Sequence, residues 1–157
     1  MKKKKSWREK VNEVEDQIHV ITPEWEEKLG KGKILIPNAI DIERLINETQ
    51  KGELLTNDSI RKKLAKEKNV QVTAAIPTGV YLKYIALAAE EEKETGKQDI
   101  TPYWRVLKPN GAINPKFPIS IEESIVLLES EGHKIDFGKS KKTAKVVDFE
   151  KKIKNYS

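Results

Sequence analysis

One stretch constrains this chain more than any other. Val80, Tyr81, Leu82, Tyr84, Ile85, Ala86, Leu87, Ala88 and Ala89 run together with Lys83 as their one charge. A segment apolar nearly all round predicts a helix buried on most of its sides. Pro77 suits its first turn. The sequence then turns acidic and ends near Gly96. Shorter elements must pack around this helix. Residues 6–18 read as a weak helix. Lys33-Ile34-Leu35-Ile36, between Gly32 and Pro37, reads as a strand. Ile42, Leu45 and Ile46 place one apolar face on a helix from about Ile40 to Glu48. Another helix follows from about Asp58 to Glu67, with N-caps available at Thr56, Asn57 and Asp58 and a buried pair at Ile60 and Leu64.

Beyond Gly96, Thr101 to Leu107 reads as extended, Pro109-Asn110-Gly111 as a turn, and Asn114-Pro115-Lys116-Phe117-Pro118 as a rigid loop. Ser120 and Glu123 form a capping-box pattern, opening a helix that Gly132 closes. Lys134 to Phe137 and Ala144 to Phe149 then read as a basic hairpin. Two helices, a short connection and a following hairpin predict an α+β fold with a winged-helix-like core and an N-terminal extension.

The chain of 157 residues has no cysteine and two histidines, His19 and His133. That composition excludes a disulfide framework, thiolate metal sites and a cysteine nucleophile, and it predicts neither cofactor nor metal. No apolar run reaches the ~20 residues of a membrane helix, and no apolar stretch follows the basic N-terminus, so the expectation is a cytoplasmic protein. The net charge is +5, and the first ten residues alone carry six basic side chains against one acidic. A second basic run spans Lys134 to Lys154, with eight lysines against three acids. Basic ends suit a polyanion, through Lys2 to Lys5 and Lys139 to Lys145.

Three blocks carry a resemblance. Lys51-Gly52-Glu53-Leu54-Leu55-Thr56, with Ile60 and Leu64-Ala65 after it, is similar to the start of the DNA-binding domain of the 6-O-methylguanine-DNA methyltransferase family. Pro102-Tyr103-Trp104-Arg105-Val106 resembles that family's P-C-H-R-V segment. Leu127-Leu128-Glu129-Ser130-Glu131-Gly132-His133 resembles its closing L-L-x-x-E-G-H helix end. The resemblance covers residues 50–137, leaving 1–49 as a basic arm and extension that packs on the core and 138–157 as a basic hairpin and tail.

The resemblance implies double-stranded DNA as partner, with alkylated guanine as the lesion read and a repair protein recruited. Tyr103 stands where the family has its alkyl-accepting cysteine, and Trp104 where it has histidine. A phenol titrates near ~10 and is no thiolate, so the branch implied is the cysteine-less, non-catalytic one. Base-pocket candidates are Tyr103, Trp104, Arg105, Asn114 and Glu131. The aromatic pair would stack on a flipped base, and Arg105 would reach a phosphate or brace the pocket. DNA-contact candidates are Arg61, Lys62, Thr73, Thr78, Gly79 and Lys83, with Gly79 and Ala86 as small residues facing the groove.

The sequence also departs from the pattern. The family's recognition helix begins R-A-V-G, but Ile76-Pro77-Thr78-Gly79 stands here without an arginine. Glu131 reads equally as a last-turn residue before a glycine terminator, Asn114 as a turn residue, and His133 as a helix-end cation or surface residue. Two other readings remain. One is a winged-helix scaffold for protein contacts that no longer reads DNA. The other is an enzyme pairing Glu131 with Tyr103, for which no nucleophile or metal is in view.

Overall fold

The computed structural model describes residues 4–139 and 143–156. The architecture is mixed α+β, with six α-helices and three small sheets among the described residues. The first helix, α1 (Trp7–Glu13), is closed at its start by a capping box between Ser6 and Glu9. It ends earlier than the expected 6–18, because Gln17–Val20 forms strand β1 instead. Pro23 opens α2 (Pro23–Leu29), and β2 (Lys33–Ile36) returns antiparallel to β1. Next come α3 (Ala39–Asn47), β3 (Leu55–Thr56) and α4 (Asn57–Glu67). Thr56 is the N-cap of α4, its hydroxyl accepting from the Ser59 N–H while Ser59 bonds back.

The connection from α4 is not the short turn expected. It spans residues 68–74 and carries β4 (Val72–Thr73), which pairs in parallel with β2. Asn69 takes a positive φ of 53° just past the helix, a conformation asparagine tolerates better than most residues. The sheet thus draws the chain outward before α5 (Ala75–Glu94) begins.

After α5, Thr101–Leu107 is extended only at its end. Tyr103–Arg105 forms one 3-10 turn, and β5 (Val106–Leu107) pairs in parallel with β3. Helix α6 (Ile121–Ser130) is capped by Ser120, whose hydroxyl accepts from the Glu123 N–H. The expected hairpin is a two-residue ladder of β6 (Ile135–Asp136) and β7 (Lys145–Val146), and Phe149–Lys152 is a 3-10 turn rather than strand. The expected phosphate contacts at Lys2, Lys3, Lys141 and Lys142 lie outside the described residues.

Two apolar clusters organise the molecule. The larger gathers Val11 from α1, Ile42, Leu45 and Ile46 from α3, Ile60 and Leu64 from α4, and Leu82, Ile85 and Ala86 from α5. The smaller joins Leu54, Leu107, Ile125, Leu128, Ile135 and Val146 beneath α6. Trp104 packs against both. Residues from the N-terminal third and the middle of the chain share one core, so α1 is built in rather than appended. Arg8 fixes it electrostatically, reaching Glu43 at 2.6 and 2.8 Å and Glu92 at 2.6 Å. Arg8 is held by two carboxylates, Lys5 pairs with Glu13 at 2.8 Å, and Lys10 sits over the Trp7 ring. No helix of the described residues is long and apolar enough to cross a membrane.

Candidate nucleic-acid interface

Three sequence blocks far apart in the chain converge on one unit. The first supplies β3 and the second β5, which lie side by side with Leu55 opposite Val106. The second and third are joined by a buried ion pair. Arg105 Nε and Nη2 donate to the Glu131 carboxylate at 2.9 and 2.8 Å, and Nη1 donates to Thr49 O at 2.8 Å and Thr49 Oγ1 at 2.9 Å. Arg105 is only 7 % exposed. Every face of its guanidinium is engaged internally, so it reaches no phosphate. Its role is to brace α6 against the loop that follows α3. Glu131 is the acceptor of that brace, and it is not paired with Tyr103.

Tyr103 is wholly buried. Its hydroxyl donates to Glu90 at 3.0 Å, and its ring meets Trp104 and Phe117 edge-on, with centroids 5.5 and 5.1 Å apart. The loop of Asn114-Pro115-Lys116-Phe117-Pro118 lays Phe117 against Tyr103. The ring presents no open face to an incoming base. Burial first, then the Glu90 charge, push the phenol well above its usual value, away from an activated nucleophile. Asn114 Oδ1 accepts from the Lys116 N–H at 2.9 Å, a local turn bond rather than a pocket contact.

Two buried nitrogens, Trp104 Nε1 and His133 Nε2, have no hydrogen-bond partner among the described residues. His133 is therefore neither a surface residue nor a helix-end cation. Burial, aided by Lys152 and Arg105, lowers its pKa despite the opposing pull of Glu131.

The DNA-contact candidates divide sharply. Thr73 is buried, its hydroxyl donating to Arg61 O at 2.9 Å while Arg61 Nε donates to Thr73 O at 2.8 Å. Thr78 is buried and donates back to Ala74 O at 2.7 Å. Ala86 is in the core. None of these three side chains faces solvent. Arg61 lines a shallow groove but also pairs with Asp58 at 3.2 Å. Gly79, Lys83 and Lys62 are exposed, and neither lysine has an ion-pair partner among the described residues.

Around Gly79 the structure adds two residues that the sequence reading passed over. Ile76 is 82 % exposed and Val80 is 42 % exposed. With Gly79 and Lys83 they form one stripe at helical spacing along the first turns of α5. The helix is thus less enclosed at its start than its all-round apolarity implies. The stripe abuts the start of α4, where Asn57 Nδ2 lies 3.8 Å from the position a Cβ on Gly79 would take. The spacing of Ile76, Gly79, Val80 and Lys83 was the available signal. It was masked because apolar residues also fill the opposite face.

Compared with protein-family models, with curated proteins and with solved structures, the chain matches none of them.

Proposed function

We propose that this protein is a non-catalytic, winged-helix-like protein that binds duplex DNA. The face presented would be the start of α5 with the N-terminus of α4. The observation that carries the reading is the exposed stripe of Ile76, Gly79, Val80 and Lys83, with Lys62 exposed on α4. A small residue permits close approach of a backbone, apolar side chains suit a groove wall or a base step, and free ammonium groups suit phosphates. The three blocks that carry the resemblance lie together through β3, β5 and the Arg105–Glu131 pair. The shielded, protonated Tyr103 supports a binding role without alkyl transfer.

Recognition of alkylated guanine needs a recess at Tyr103 and Trp104, where Phe117 now packs. The reading therefore expects binding without lesion preference. Fluorescence-anisotropy titration of a plain duplex and of one carrying a single 6-O-methylguanine, each over a salt series, tests it. Equal, salt-sensitive binding to both is expected. Tighter binding to the lesion at every salt would mean that Phe117 lifts and a damage pocket opens.

One observation favours a second reading, a scaffold for protein contacts: two of the stripe's exposed residues, Ile76 and Val80, are large and apolar. Failure to bind either duplex at low salt selects it.

A further inference from the structure

The groove between α4 and the C-terminal tail shares Lys62 with the face described above and otherwise lies outside it. It has a volume of about 250 Å³ and is lined by Ser59, Lys62, Lys63, Lys66, Lys154 and Tyr156, among others. The tail is fixed there by its backbone. Leu54 N–H donates to Lys152 O and Lys154 N–H donates to Leu54 O, both at 2.9 Å. Leu54 is itself fully buried. The Tyr156 hydroxyl donates to Leu45 O at 2.7 Å, so its ring is a set platform. Lys63 and Lys154 stand over that ring, 5.6 and 5.7 Å from its centroid.

The carboxylates nearby are largely spoken for. Glu53 pairs with Lys154 at 3.3 Å, and Glu67 is held by Arg44 at 2.7 Å with Lys63 at 3.8 Å. Glu48 also pairs with Arg44, at 3.3 Å. Lys62 and Lys66 have no such partner among the described residues. Ammonium groups gathered along one groove create a positive potential that an anion relieves.

We propose that this groove is a phosphate track for duplex DNA, in which Lys154 and Tyr156 of the tail complete a site begun by Lys62 and Lys66 on α4. The proposal rests on the DNA-binding reading above and adds a second contact region to it. Continuity argues for a duplex over a small anion. Lys62 also lines the neighbouring groove of about 320 Å³, with Asp58, Arg61 and Thr73. That groove runs along α4 toward Asn57, which meets Gly79 on α5. A backbone following α4 would pass from the tail to the α5 stripe, a span that one free phosphate cannot bridge.

The test is anisotropy titration of a labelled plain duplex over a potassium chloride series. The proteins are the wild type, Lys66→Gln, the double variant Lys66→Gln/Lys154→Gln, and a control, Lys31→Gln/Lys93→Gln, which removes the same charge from the turn after α2 and from the last turn of α5, away from both contact regions. Each lost phosphate contact flattens the slope of log affinity against log salt by about 0.9. The double variant is expected to lose about two such increments and the control none, with melting temperatures close to wild type for Lys66→Gln. A double variant that keeps the wild-type slope overturns the groove alone. A wild type that fails to bind duplex at low salt overturns the groove and the DNA-binding reading together.

Discussion

Arg105 works as a structural hub. One guanidinium satisfies a carboxylate, a hydroxyl and a carbonyl, and these come from the end of α6 and from the residue at position 49. Removing it leaves Glu131 buried and unpaired, which costs about 3–5 kcal/mol. Arg105→Ala is therefore expected to lower stability by that amount in urea unfolding, and Arg105→Lys recovers little, because a single ammonium cannot span both partners. A loss under 1 kcal/mol would place the pair in solvent. His133 behaves differently. Its pKa is lowered in the folded chain, so the unfolded state binds the proton more tightly. The stability that follows is complete above the imidazole's usual value near 6.5 and is lost as pH falls through the lower, folded value. Melting temperatures are expected to drop below about pH 6.5, and His133→Gln is expected to flatten that drop. The charged neighbours Arg105 and Lys152 oppose protonation, while Glu131 favours it.

At the scale of elements, α5 carries two jobs along one helix. Leu82, Ile85, Ala86, Ala88 and Ala89 enter the core, while the first turns leave Ile76, Gly79 and Val80 to solvent. Gly79 separates stability from binding. It has ordinary helical backbone, and a methyl there would meet nothing closer than 3.8 Å. Gly79→Ala is expected to stabilise the fold by about 0.5–1 kcal/mol, since glycine is a poor helix residue. The same methyl stands on the proposed contact face, so duplex affinity is expected to fall. Thermal melting and anisotropy on one variant read the two effects; affinity that rises with stability would remove the stripe from the interface. The helices were legible because capping residues and apolar spacing are local: Thr56, Ser120 and the Ile42, Leu45, Ile46 face each have a chemical reason at the right position. The strands were less so. β1 alternates polar and apolar residues over only four positions and is exposed along its length, and the β4 excursion depends on pairing with β2, which no local pattern reveals.

At the scale of the whole molecule, charge is distributed in two ways. Near the N-terminus, Arg8, Lys5 and Lys10 are tied to groups within the fold. On α4 and the tail, the cations gather in a groove. Counting charge in the sequence made the two ends alike; tertiary contacts show which of their cations are paired, Lys154 with Glu53 among them. The candidate site was legible to a similar degree. Exposure singled out Gly79, Lys62 and Lys83 from their spacing and type. Thr73, Arg105 and Tyr103 have plausible chemistry, but partners distant in sequence enclose them, and Arg105 meets Glu131 across 26 positions of sequence.

The central claim is that the start of α5 is the DNA-binding face. Its most direct test is the affinity of wild type and Ile76→Glu for one plain duplex at low salt. A glutamate in the first turn of a helix favours that helix, and Ile76 is almost fully exposed, so the fold is expected to be unaffected. The account predicts saturable binding by the wild type and a loss of tenfold or more, about 1.4 kcal/mol, for the variant. Equal affinities, or no binding by either protein, would contradict it.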